Sequence, residues 1–94
     1  MSMPADITKP GDVKRLITAV QKQIRRLDVL INNAGVFPYK PFAKTTLEDW
    51  RRNIETNLTS IFLATQAALP LLRRSQGDVV NILSISSRVA LPNC

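Results

Sequence analysis

Two polar segments contain the residues of this chain whose types and spacing could do chemistry. Asn32-Asn33-Ala34-Gly35 directly follows three branched apolar residues. Ser84, Ser86 and Ser87 follow a second apolar run. Gly35 can take a backbone conformation that other residues avoid, so a flat ligand could approach the chain there. Side-chain amides and hydroxyls supply hydrogen bonds, and the two segments therefore predict a ligand-binding edge with a hydroxyl that can orient a polar group.

Composition excludes several other kinds of chemistry. The 94 residues include no histidine and a single cysteine, Cys94. A Ser-His-Asp triad, a histidine-based metal site and an intramolecular disulfide are therefore excluded within this chain, and we predict no metal site. The hydrophobic content of 45% is typical of a globular protein rather than a disordered one. The length suits one small domain or part of a larger one.

The chain is basic, with 13 lysine and arginine residues against 7 acidic ones and a net charge of +6. Such an excess could attract nucleic acid or anionic lipid. The basic residues are scattered, however, and no aromatic platform lies among them, which favours solvated helix faces over a nucleic-acid site. No apolar run approaches the ~20 residues needed to cross a bilayer, and the first residues lack a signal-peptide pattern. We therefore expect a cytoplasmic protein that binds neither nucleic acid nor membranes.

Apolar spacing predicts the elements that position the two segments. From Val13 to Leu27, apolar residues recur on one stripe, as in an amphipathic helix. Residues 28–31 predict a strand buried on both faces, as in a parallel sheet. Prolines exclude a regular helix or a central strand from residues 36–44. The aromatic residues of this loop could anchor it or could line a substrate pocket; they are Phe37, Tyr39 and Phe42.

A long helix and a second strand complete the predicted unit. The helix begins at Thr46, a capping residue, and ends at Arg73 or Arg74, before the stop signal of Gly77. Midway, Asn57 falls on the apolar side of this helix, where a polar side chain calls for an explanation. Residues 78–84 predict a second buried strand. Strand, long helix and strand make a right-handed crossover with parallel strands, so both polar segments are expected at the ligand-binding edge of the sheet.

Four segments, in this order and at these separations, resemble the short-chain dehydrogenase/reductase family. They are Ala5-Asp6-Ile7-Thr8, Asn32-Asn33-Ala34-Gly35, Ile54-Glu55-Thr56-Asn57-Leu58-Thr59-Ser60 and Asp78-Val79-Val80-Asn81-Ile82-Leu83-Ser84. The resemblance implies an α/β fold: a doubly wound, Rossmann-like parallel sheet in the order helix, strand, long helix, strand, incomplete at both ends. Residues 1–94 would be the central part of a single NAD(P)-binding domain. The implied activity is hydride transfer between NAD or NADP and a small-molecule alcohol or carbonyl.

The resemblance also assigns candidate cofactor-binding residues. Asp6 and Ile7 match the pair that flanks the adenine. Asn33, Ala34 and Gly35 match the backbone wall beside the adenosine ribose. The family commonly forms homo-oligomers through its long helix, read here as Thr46 to Arg74.

Two matching positions are catalytic in the family. Asn57 matches the helix asparagine that holds a water of the proton relay at a local distortion. Ser84 matches the serine that hydrogen-bonds the reacting oxygen. Ser86 and Ser87 stand where the family more often has small residues, so Ser84 is the preferred serine. Asn32 matches a residue that stabilises the centre of the sheet.

Other parts of the family pattern are not found in these residues. A Tyr-x-x-x-Lys motif, whose tyrosine supplies the proton, is expected beyond Cys94, and Tyr39 lies in the wrong loop to replace it. The glycine-rich turn and the residue that separates NAD from NADP are expected before Met1. We therefore expect the isolated 94 residues to be inactive, and marginally folded or self-associating through an unpaired edge at 29–31. The alternative is a non-catalytic nucleotide-binding or dimerisation module.

Overall fold

Helices and strands alternate along the residues that the computed structural model describes, which are 1–37, 39–84 and 88. In chain order they are helix α1 (Pro10–Gln23), strand β1 (Val29–Asn32), helix α2 (Leu47–Ile54), helix α3 (Ser60–Ser75) and strand β2 (Asp78–Asn81). A short 3-10 turn, Phe42–Lys44, precedes α2, and a π-helical turn, Glu55–Thr59, joins α2 to α3. The predicted order of helix, strand, long helix and strand is confirmed. Pro38, Ser86, Ser87 and Cys94 lie outside the described residues.

The two strands pair in parallel, with Val29 opposite Asp78 and Asn32 opposite Asn81. The N–H of Ile82 donates to the Asn32 carbonyl at 3.0 Å and continues the ladder by one residue. The predicted parallel crossover is therefore confirmed, and the carboxyl ends of both strands lie at one edge of the sheet. The second strand is shorter than the predicted 78–84.

The prediction that both strands are buried on both faces is wrong. In β1, exposed and half-buried residues alternate, and Val29 and Ile31 are 47% and 59% exposed. Every residue of β2 is exposed. Within the described residues, the one helix that packs on the sheet is α3, so the opposite face has no cover. A strand of branched apolar residues has the same sequence pattern whether helices cover one face of the sheet or both.

The core lies between α1 and α3, which contact each other. Val13 on α1 and Ala68, Leu71 and Leu72 on α3 are at most 4% exposed. A second set of apolar residues on the long helix is exposed instead: Leu47, Trp50, Ile54, Leu58, Phe62 and Leu69. The long helix is therefore apolar on two faces. None of the helices in the described ranges has both the length and the apolar character required to span a membrane.

The first helix ends before its apolar stripe does. The stripe predicted a helix as far as Leu27, but α1 stops at Gln23. Arg25 takes a left-handed backbone conformation, with φ of 65°, which an α-helix cannot include. Ile24 consequently lies outside the helix and is 54% exposed.

Helix α3 ends in a close contact with the chain that enters β1. Gln76, rather than Gly77, takes the left-handed conformation (φ 53°). The Gly77 N–H donates to the Leu72 carbonyl at 2.9 Å, which is a Schellman ending. A Cβ on Gly77 would lie 2.5 Å from the Asp28 carbonyl oxygen. Glycine is therefore required here by the approach of two backbones.

We expect Gly77→Ala to lower the free energy of unfolding by about 2 kcal/mol, because the backbone must move to relieve the clash with Asp28. Gly11→Ala is the matched control. No atom lies within 4 Å of a Cβ at Gly11, and alanine in α1 is expected to stabilise by about 0.5 kcal/mol. Urea unfolding measures both changes, and equal stability of Gly77→Ala and the wild type would contradict the close approach.

Candidate functional site

The candidate site lies at the carboxyl edge of the two strands. Asn32 and Asn81 are the last paired residues and stand opposite each other. Gly35 and Ser84 each come three residues after these ends, so both segments begin at the same edge of the sheet. Residues 33–35 and Ser84 are exposed. Of the two polar segments predicted to share an edge, residues 33–35 and Ser84 therefore do so, while Ser86 and Ser87 lie outside the described residues.

A side-chain amide links the two strand ends. The Nδ2 of Asn32 donates to the Oδ1 of Asn81 at 2.9 Å and to the Oγ1 of Thr65, on α3, at 3.4 Å. The amide therefore bonds side chains of both neighbouring elements. This contact fixes the register of the strands where the chains diverge.

Asn57 ties the segment after β1 to the long helix. Its Oδ1 accepts the Val36 N–H at 2.7 Å, and its Nδ2 donates to the Val36 carbonyl at 2.8 Å. The amide also donates to the Oδ1 of Asn53, one turn earlier. The side chain is half-buried, and these three bonds explain how a polar residue is accommodated on this side of the helix.

Gly35 packs closely against the side chain of Asn57. A Cβ at Gly35 would be 3.1 Å from the Asn57 Oδ1, and the two bonds to Val36 hold that oxygen in place. No glycine of the described ranges has a positive φ. The prediction that Gly35 adopts a conformation that other residues avoid is therefore wrong, and close packing is the reason for the glycine.

The local distortion expected at Asn57 is present as the π-helical turn Glu55–Thr59. The Ser60 N–H bonds to the Glu55 carbonyl five residues earlier. The buried Ser60 hydroxyl donates to the Thr56 carbonyl at 2.6 Å. A π turn redirects the backbone carbonyls of its residues, and such turns are frequent at functional sites.

Asp6 and Ile7 lie at the turn that enters α1. The Asp6 Oδ1 accepts the Thr8 hydroxyl at 2.7 Å and the Thr8 N–H at 3.0 Å, and these bonds lower the pKa of Asp6. The Asp6 N–H donates to the Asp12 carboxylate at 2.9 Å. Within the described part of the chain, the hydrogen bonds of Asp6 reach this turn and the first turn of α1, and none joins it to the strand ends. Direct contact therefore unites Gly35 with Asn57, while Asp6 and Ile7 form a separate group.

The aromatic residues of the loop at 36–44 are exposed. Phe42 is 89% exposed, and Phe37 and Tyr39 contact each other with ring centroids 6.1 Å apart. Phe37 also lines a cavity of about 170 Å³ together with Val36, Asp49 and Arg52. These exposures favour a pocket-lining role over an anchoring role for Phe37.

An ion pair closes this loop onto the start of α2. The Lys40 Nζ lies 2.6 Å from the Asp49 Oδ2. Thr46 and Asp49 form a capping box, in which each side chain accepts the other residue's backbone N–H. The predicted cap at Thr46 is therefore confirmed. Hydrogen bonds from Lys40 and from the Thr46 backbone lower the pKa of Asp49 to about 2.

The depressed pKa of Asp49 predicts a pH dependence of stability. Its stabilising effect is fully present above the ordinary carboxyl pKa of 3.8 and is lost as the pH falls through about 2. We therefore expect the stability difference between the wild type and Asp49→Asn, measured by urea unfolding, to shrink as the pH falls from 3.8 to about 2. Glu48→Gln, at an exposed position of the same turn, is the control. A difference that stays constant over the interval would contradict the ion pair and cap.

Sequence reasoning missed three residues of this site. Asn53 could have been found, because it lies four residues before Asn57 on the helix, a spacing at which amides hydrogen-bond. Asn81 could have been found as the counterpart of Asn32 at the end of the second strand. Val36 has no sequence signal, since it contributes only its backbone.

Parallel strands joined by a helical crossover, with small residues and a serine at their shared carboxyl edge, define a Rossmann-like α/β protein. The family model described as short chain dehydrogenase matches residues 1–94. The chain belongs to the short-chain dehydrogenase/reductase family.

Similar proteins are known by sequence and by structure. The chain is 34% identical to an uncharacterized oxidoreductase of Staphylococcus saprophyticus, over 93% of this chain and 36% of that protein. It is 35% identical to the trans-4-hydroxycyclohexanecarboxylate dehydrogenase of Sinomonas cyclohexanicum, over 94% of this chain and 34% of that protein. The ligand-free aldohexose dehydrogenase of Thermoplasma acidophilum matches with a TM-score of 0.91 at 32% identity, over 98% of this chain and 36% of that chain. The chain therefore spans about a third of the length of these relatives.

Proposed function

We propose that this chain is the central part of the single NAD(P)-binding domain of an oxidoreductase that transfers a hydride between NAD or NADP and a small-molecule alcohol or carbonyl. The observation that carries the proposal is the common edge at which the segments of Gly35 and Ser84 leave the sheet, in a chain of the short-chain dehydrogenase family. Ligands of open parallel sheets bind at this edge. Two of the similar proteins are named as dehydrogenases of hydroxylated compounds, which supports an alcohol as the substrate class.

The residues at the edge, together with the separate pair Asp6 and Ile7, have groups that fit an adenine dinucleotide. Asn33, Ala34 and Gly35 are exposed, so their backbone is accessible to a flat ligand. The carboxylate of Asp6, which hydrogen bonds keep ionised, can accept a bond from an adenine amino group, with Ile7 beside the ring. The nicotinamide, when bound, supplies or takes the hydride.

We assign Ser84 to the reacting oxygen of the substrate. Reduction of a carbonyl leaves an oxygen with developing negative charge, which requires a hydrogen-bond donor and then a proton. The Ser84 hydroxyl can orient and stabilise that oxygen, but it is too weak an acid to give up its proton at neutral pH. We propose that a Tyr-x-x-x-Lys tyrosine elsewhere in the whole protein supplies the proton. Tyr39 is 66% exposed on the loop and is not assigned this role.

We assign Asn57 to the turn that holds a water of the proton relay. Both hydrogens of its amide are bonded, one to Val36 and one to Asn53. The side chain therefore holds the turn and the loop in place. Backbone carbonyls of the π turn Glu55–Thr59 are the groups that we propose accept hydrogen bonds from the water.

We further propose that the whole protein forms homo-oligomers through the long helix from Thr46 to Arg74. Six of its apolar residues are between 36% and 62% exposed: Leu47, Trp50, Ile54, Leu58, Phe62 and Leu69. An extended apolar face on a protein surface usually marks an interaction site. Sedimentation velocity is expected to show a species larger than the monomer, and a monomer alone would contradict the proposal.

The function is tested by nicotinamide reduction in the whole protein. With hydroxylated ring compounds and NAD or NADP, we expect saturable formation of the reduced cofactor. The 94 residues alone are expected to show none. Dinucleotide binding without turnover of any alcohol or carbonyl would contradict the proposal and would favour a non-catalytic nucleotide-binding or dimerisation module.

A further inference from the structure

We propose that Asn53 is a positioning residue of the candidate site, whose side-chain oxygen holds the Asn57 amide in the orientation that binds Val36. The expected effect on turnover rests on the function proposed above. The contact between Asn53 and Asn57 does not depend on the proposed function, because it joins residues of this chain alone.

The hydrogen bonds of the Asn57 amide determine which way it faces. The Val36 N–H can bond only to the amide oxygen, and the Val36 carbonyl can bond only to the amide nitrogen. The two distances are 2.7 Å and 2.8 Å. One hydrogen of the nitrogen remains, and it is donated to the Asn53 Oδ1. The nitrogen is then fully satisfied by protein groups.

Loss of the Asn53 side-chain oxygen would remove its hydrogen bond with the Asn57 amide. It would also weaken the two bonds between Asn57 and Val36. A half-buried N–H without an acceptor is unfavourable, so the amide would gain by turning toward water. Rotation of the Asn57 amide by half a turn would place a donor against the Val36 N–H and an acceptor against the Val36 carbonyl. Both bonds to the loop would then be lost together.

The position of Asn53 in the fold suits this role. It lies in the last turn of α2, within the regular helix Leu47–Ile54, whereas Asn57 lies in the π turn Glu55–Thr59. The contact therefore connects the distorted turn to a regular one. Through Asn57 and Val36 it extends to the segment that follows β1.

The test compares three variants in the whole protein. Asn53→Leu has the same branched shape and no acceptor, Asn53→Asp keeps an acceptor oxygen, and Glu48→Gln changes an exposed residue of α2 outside the site. The first readout is the hydrogen-exchange rate of the Val36 amide, measured by NMR. The second is kcat, with the KM for the dinucleotide measured alongside.

We expect Val36 exchange to be about fivefold faster in Asn53→Leu, and kcat to fall about fivefold with the dinucleotide KM unchanged. In Asn53→Asp and Glu48→Gln both quantities are expected to stay within about twofold of the wild type. An unchanged Val36 exchange rate in Asn53→Leu would overturn the assignment. Equal effects of Asn53→Leu and Asn53→Asp would also overturn it, because the acceptor oxygen would then be irrelevant.

The exchange measurement separates this inference from the proposed function. If Val36 exchange is faster in Asn53→Leu and returns to the wild-type rate in Asn53→Asp, the contact is supported even in a whole protein without redox turnover. The absence of turnover would overturn the proposed function alone. In an active protein, faster exchange with an unchanged kcat would overturn the positioning role.

Discussion

Ser84→Ala is expected to lower the kcat of the whole protein by about 100-fold and to leave the Kd for NAD or NADP within about twofold of the wild type. Ser84 is exposed at the strand edge. The loss falls on kcat because the hydroxyl stabilises charge that develops only during the reaction. Steady-state kinetics and dinucleotide titration measure the two quantities.

Two further variants make the Ser84 prediction specific. Ser84→Thr keeps a hydroxyl and is expected to retain more activity than Ser84→Ala. Ser86→Ala removes a serine that competes for the role in the sequence, and its kcat is expected to match that of the wild type. Full activity in Ser84→Ala, or a loss in Ser86→Ala instead, would show that Ser84 is not the residue that binds the reacting oxygen.

Asn57→Leu is expected to lower the free energy of unfolding by about 2–3 kcal/mol, because a half-buried N–H and carbonyl of Val36 lose their partner. The same change is expected to lower kcat by about 100-fold, since misplacement of the loop and the π turn displaces groups at the site. Chemical unfolding and steady-state kinetics of the variant measure the two effects.

Arg51→Leu is the control for Asn57→Leu, because it places the same side chain at an exposed position of the neighbouring helix α2. Its stability and kcat are expected to stay close to those of the wild type. If Asn57→Leu were as stable and as active as this control, the hydrogen bonds to Val36 would have no role in holding the site.

Local sequence patterns predicted the helices and strands but not which of their faces are buried. The branched run before Asn32 predicted a strand correctly, and its parallel pairing with β2 followed from the crossover rule. Burial of both faces of this strand could not be predicted from the run, because burial depends on whether helices cover both sides of the sheet. The exposed Val29 and Ile31 show this directly.

Backbone geometry limited what could be predicted of the glycines and the helix ends. Gly35 and Gly77 both suggest special φ values, yet each instead makes a close contact with a residue distant in sequence, Asn57 and Asp28 respectively. The left-handed position at the end of α3 is Gln76. Such contacts come from tertiary packing, so the sequence indicates that a glycine is needed there but not for which reason.

The site itself was predicted in part. The shared edge of residues 33–35 and Ser84, and the distortion at Asn57, followed from sequence and resemblance. The partners of Asn57 did not, because Val36 contributes only backbone atoms and Asn53 resembles any other polar helix residue. The catalytic and cofactor-binding roles remain predictions.

The most direct test of a dinucleotide crevice shared by the two strand ends is an NMR titration of the isotope-labelled whole protein with NAD and NADP. We predict that the backbone signals of residues 33–35 and Ser84 shift together as the dinucleotide is added, while those of Val29 and Asp78, at the opposite edge, stay in place. Shifts confined to the Val29 and Asp78 edge, or no binding of either dinucleotide, would contradict this account.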